Sequence, residues 1–158
     1  VFSGSVFAVA LKLRSLSLNL PFGLGGVEVE VSEQEARAAW SLYVEFATRV
    51  TGSELAAGAG FANEALASVY GLFGATRGVL REAGPEIARK PTSLGPLTIE
   101  VLNRGLRPFL VRWHGLLRAS GDEPEGELRA EFDQELADLR KGLGQYVEAL
   151  AEIAGVKE

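Results

Sequence analysis

Leu128, Phe132, Leu136, Leu139, Leu143, Tyr146, Leu150 and Ile153 follow one another at intervals of three and four residues almost throughout. That spacing sets them on one side of a single helix, from about Glu125 to Ala154, as a coiled-coil-like seam. Such a seam has to be covered, and three further helical patterns upstream are available to cover it.

The nearest upstream pattern runs from Leu94 to Leu117. Ile99, Leu102, Leu106, Phe109, Leu110, Trp113, Leu116 and Leu117 fall on one broad apolar face, with Glu100, Arg104, Arg107 and Arg118 opposite. Glu100 and Arg104 are four apart and can pair along the helix. Pro108 lacks a backbone donor and clashes with the carbonyl of Arg104, so a kink is predicted there, with Gly105 easing the bend. Two half-helices meeting at Pro108 are the alternative.

Ser32-Glu-Gln-Glu35 is a capping box and marks the start of a helix that runs to about Thr51. Its expected inner face is Ala36, Ala39, Trp40, Tyr43, Ala47 and Val50, with Arg37, Glu45 and Arg49 turned away. Gly52 ends it, and a loop leads to about Gly60. The next helix, Phe61 to about Glu82, carries Leu66, Val69, Phe73, Thr76 and Leu80 on one face and Ala67, Gly71, Gly74, Ala75 and Gly78 on the other. Between Phe61 and Leu80 only Glu64 and Arg77 are charged. A helix with so little polar surface is expected to be buried on more than one side. Its glycines each cost about 1 kcal/mol relative to alanine where exposed, so a close approach of backbones is expected to use them. That approach is either packing within the chain or contact with another subunit or partner. Gly84-Pro85 stops this helix, and a proline-rich loop follows to about Ser93; Ser120-Gly-Asp-Glu-Pro124 makes the next turn.

Ahead of the helices the pattern is alternating. Leu16, Leu18 and Leu20 lie to one side of a first stretch, Val27, Val29 and Val31 to one side of a second, and Pro21-Phe-Gly-Leu-Gly-Gly26 lies between them, so a β-hairpin is predicted. Gly26 runs into a strand rather than into Gly-Lys-Ser/Thr and a helix, which excludes a phosphate loop. Val1 to Leu13 is an apolar arm, too short to span a bilayer and without the basic start of a signal peptide. With no methionine even at position 1, a processed or trimmed start is expected.

Composition excludes several activities. The 158 residues contain no cysteine, hence no disulfide, thiolate metal site or cysteine nucleophile. A net charge of −5 opposes non-specific nucleic-acid binding. Residues 76 to 120 hold eight basic and three acidic side chains (+5), and residues 121 to 158 four basic and eleven acidic (−7), so neighbouring helices are expected to complement each other. His114 is the one histidine. No local motif supplies it with an orienting carboxylate and a nucleophile, and a bundle di-metal site would need two Glu-x-x-His pairs. Glu131, Glu135 and Asp138 read as a solvated acidic face. Arg104, Arg107, Arg112 and Arg118 form no basic-aromatic platform, since Arg112 points away from the others. Ser41, Ser68 and Ser120 lack the context of a hydrolase nucleophile. No catalytic residue, metal ligand or cofactor is assigned.

The stretches Ala-Ala-Trp40-Ser-Leu-Tyr43-Val-Glu45 and Val-Leu-Asn103-Arg-Gly-Leu-Arg107-Pro108-Phe-Leu-Val-Arg-Trp113-His114 resemble those of a family of uncharacterised bacterial helical proteins. The resemblance extends from the hairpin through the last helix. It implies a cytoplasmic accessory protein, loosely tied to bacterial conflict or antiphage loci, and transfers no catalytic residue.

The expectation is therefore a mainly α chain of one structural domain: an N-terminal arm and β-hairpin (1–31) and a four-helix antiparallel bundle (32–158). Its expected role is non-enzymatic interaction, as a homo-oligomer or with a protein partner, through Ala67, Gly71, Gly74, Ala75 and Gly78. One alternative is a small-molecule or nucleotide sensor with a pocket at the Pro108 kink near Arg104, Arg107 and His114. Another is peripheral membrane association through Val1 to Leu13, although membrane contact is the weaker expectation.

Overall fold

The computed structural model describes residues 13–52, 55, 60–120 and 123–156. The predicted arm, apart from Leu13, lies outside them. Strands β1 (Arg14–Leu20) and β2 (Gly25–Val31) pair antiparallel, with Leu16 opposite Val29 and Leu18 opposite Val27. Alternation sends Leu18, Leu20, Val29 and Val31 into the core and leaves Ser15, Ser17, Glu28 and Glu30 outside. In the connecting turn Leu24 N–H donates to the Pro21 carbonyl, and both central residues, Phe22 (φ 60°) and Gly23 (φ 82°), have positive φ. That is the hairpin geometry that matches strand twist. For a phenylalanine it is strained, and the place of its ring explains why it persists.

Helix α1 (Glu33–Val50) begins at the predicted capping box: Ser32 Oγ accepts from Glu35 N–H, and Glu35 Oε1 accepts from Ser32 N–H, both at 3.1 Å. Glu35 is buried, and its other oxygen accepts the Leu94 N–H at 2.9 Å, so one carboxylate holds two helix starts. The inner face of α1 differs from the expected one. Ala38, Ala39, Leu42 and Phe46 are buried, whereas Trp40 is 49% exposed and Ala36, Tyr43, Ala47 and Val50 are half-buried. Two apolar stripes overlap on this helix, and the one bearing Leu42 and Phe46 meets the rest of the bundle.

Helix α2 (Ala62–Ala83) follows, then a 3₁₀ turn (Pro85–Ala88) that buries Ile87 inside the expected loop. From Leu94 to Ser120 the chain is one helix in three parts: α3 (Leu94–Val101), a π-helical segment (Leu102–Leu106) and α4 (Arg107–Ser120). It does not part into half-helices at Pro108. The mismatch is absorbed one turn earlier, where Arg107 N–H reaches back five residues to the Leu102 carbonyl. Nor does Gly105 serve mainly to ease a bend. A Cβ there would lie within 2.6 Å of Cζ of Phe22, and so would one at Gly142 of the last helix. The strained turn thus wedges its ring between two glycines on two helices. Ile99 and Leu116 leave the predicted apolar face and are 49% and 36% exposed.

Helix α5 (Gly126–Ala154) follows the predicted seam closely: every residue from Phe132 to Ile153 named for it is buried, and Leu128 half-buried. It packs on α1, β1, the π segment and α4; α1 also packs on α2, and α2 on α4. Trp113, Tyr146, Phe46 and Phe132 are the largest enclosed side chains. Phe46 meets Tyr146 edge-on at 5.4 Å and Trp113 meets Phe132 at 5.0 Å. The result is a four-helix antiparallel bundle with a β-hairpin laid against its last helix. Among the described residues no helix is long and apolar enough to cross a membrane.

Candidate interaction surface

Helix α2 gives one side to the core and leaves the other bare. Leu66, Val69, Leu72, Phe73 and Thr76 are buried. Opposite them, Glu64, Ala67, Gly71, Gly74, Gly78 and Arg81 succeed one another at intervals of three and four, the spacing of a helix–helix seam. Ala67, Gly74 and Gly78 are exposed, and a Cβ added at either of these two glycines would meet nothing within 4 Å. Gly71 and Ala75 are half-buried. A Cβ at Gly71 would lie 3.3 Å from Nη2 of Arg49, whose guanidinium donates to the Ser68 and Glu45 carbonyls. Burial on more than one side, expected from the scarcity of charge, is therefore not what the single chain shows. Among the described residues, nothing uses the small size of Gly74 and Gly78.

A groove of about 190 Å³ runs beside this face, between α2 and α4. Phe73 and Leu110 form its floor, and Tyr70, Val111 and His114 its walls. Tyr70 is 62% and Val111 69% exposed. The Tyr70 and His114 rings stand edge to face at 6.1 Å. Arg77 and Arg107 complete it, one from each helix, with guanidinium carbons 5.8 Å and 5.2 Å from the same Phe73 ring centroid.

The residues expected to form a pocket at Pro108 are divided. Arg107 and His114 line the α2–α4 groove. Arg104 does not; it pairs with Glu100 at 2.9 Å, as their spacing predicts. The depression at Pro108 is a separate one, of about 340 Å³, flanked by Phe22, Gly105, Arg112, Glu135 and Asp138. Charge complementarity between the two halves of the sequence centres on Arg112. It pairs with Glu131 at 2.7 Å and with Glu135, which also accepts the Trp113 indole N–H at 3.1 Å. Sequence reasoning missed Tyr70, Arg77 and Val111. The available signal was the spacing of Phe73 to Arg77 and of Arg107, Val111, His114 and Arg118, but their meeting depends on how α2 and α4 dock.

Among the described residues no three histidine, aspartate or glutamate side chains come together as metal ligands. Burial holds the Tyr146 phenol well above its ordinary value against the opposing hydrogen bond with Thr98, and the group is enclosed rather than poised in a cleft. No protein-family model matches the chain, and neither does any curated protein or any solved structure.

Proposed function

We propose that this chain is a non-enzymatic assembly module that pairs with a second copy of itself through the outer face of α2. The observation that carries this reading is the self-complementarity of that face. Laid antiparallel about a two-fold axis between Gly71 and Gly74, two copies set Gly71 against Gly74, Ala67 against Gly78, and Glu64 against Arg81. Along this seam each glycine or alanine then faces another, Ala75 beside the seam faces Tyr70, and each end faces its opposite charge. A two-fold interface has to be complementary to itself in this way. Glycine and alanine at the contact let the backbones approach closely, with Cα–H···O contacts between them.

The paired segment is about 26 Å long at 1.5 Å per residue, which places it at the low end of interface sizes and makes pairing dependent on concentration. The stretches around Trp40 and Trp113 support a cytoplasmic accessory role in a bacterial multi-protein system concerned with conflict or antiphage defence. Charge reversal tests the pairing. Glu64→Arg brings arginine against Arg81 at both ends and lowers association, and adding Arg81→Glu restores it. Unchanged mass in Glu64→Arg, or no recovery in the double variant, contradicts this register.

A further inference from the structure

We infer that the groove between α2 and α4 binds a small ligand that joins one carboxylate to one flat apolar ring. The floor is apolar, since Phe73 and Leu110 are buried and line the groove. Over that floor stand two cations from different helices, Arg77 and Arg107, both against the Phe73 ring. Among the described residues neither has an ion-pair partner, and no acidic side chain lines the groove. Arg107 donates through Nε to the Asn103 amide oxygen at 3.0 Å, which orients the guanidinium and leaves its terminal nitrogens for a ligand. Two like charges held against one ring repel each other, and a bound anion relieves the repulsion. Guanidinium is the group whose donors match a carboxylate edge two at a time.

The remaining walls specify the body of the ligand. Tyr70 and His114, edge to face with each other, and Val111 border the opening with apolar surface on which a flat ring can lie while its carboxylate meets the arginines. A volume of about 190 Å³ holds one ring and a short acid arm. The site lies within one chain and beside the α2 pairing face, so it does not depend on assembly.

His114 is the one histidine and stands in the groove wall, which makes its imidazole proton signals a local reporter. Titration with phenylacetate should shift those signals saturably, and the neutral analogue phenylacetamide should bind at least about tenfold more weakly, the loss expected for one charge-assisted hydrogen-bonded pair. Arg77→Gln and Arg107→Gln should each weaken phenylacetate by about tenfold. Arg104→Gln, outside the groove, should leave it unchanged, and so should Glu64→Arg. Equal binding of the acid and the amide, retention of affinity in both groove variants, or no saturable shift up to about 10 mM would overturn the assignment.

Discussion

Phe22 has a backbone that phenylalanine seldom adopts, and its ring occupies the space that Gly105 and Gly142 leave free. A glycine within a helix ordinarily costs about 1 kcal/mol relative to alanine, so Gly→Ala ordinarily stabilises. Here the sign depends on the site. Gly142→Ala should destabilise by about 1–3 kcal/mol, because its methyl group would overlap the Phe22 ring. At concentrations where the chain is monomeric, Gly74→Ala should stabilise by about 0.5–1 kcal/mol, because among the described residues nothing lies within 4 Å of its Cβ. Urea unfolding of the two variants checks both signs, and stabilisation by Gly142→Ala would mean that the wedge is not held. Tyr146 gives a pH dependence. Its folded-state phenol titrates above the unfolded value near 10, so the stability it contributes is complete below pH 10 and is lost as pH rises beyond it. Unfolding measured between pH 9 and 11 should lose stability more steeply in the natural chain than in Tyr146→Phe, by up to about 1.4 kcal/mol per pH unit. Equal slopes would show that the phenol is not held neutral.

Among the elements, α1 and α3 share one capping carboxylate. Ser32→Ala removes a single cap and should cost about 1 kcal/mol. Glu35→Ala leaves the N–H groups of both Ser32 and Leu94 without their acceptor and should cost about 2–4 kcal/mol. Equal losses in the two variants would argue against the bridge to α3. This element also shows what a sequence makes legible. The capping box, the alternation of the hairpin and the seam of α5 are local patterns, and each appears in the fold where it was predicted. Which stripe of α1 turns inward is not local: Trp40 and Tyr43 compete with Leu42 and Phe46, and α5 and α2 decide between them. The response to Pro108 is not local either. The lost hydrogen bond follows from the proline itself, but the π segment that absorbs it lies against a ring from the hairpin. The groove escaped for the same reason, since Arg77 and Arg107 are 30 positions apart and meet only when α2 docks on α4.

For the whole molecule, the core is closed along α5 by α1, the hairpin and the π segment, while α2 stands at the edge with one face unused. A bundle of this size can bury a helix without any need for three glycines on its outer side. In the proposed pairing the face they line meets a second copy, whose reversed sequence matches it. The direct test is absolute mass in solution over a range of protein concentrations, for the natural chain and for a variant with Gly71→Leu and Gly78→Leu. The natural chain should rise with concentration toward twice the chain mass, and the variant should remain at the monomer mass with helicity unchanged. A natural chain that stays monomeric at every concentration, or a variant that assembles as readily as the natural chain, would contradict the pairing.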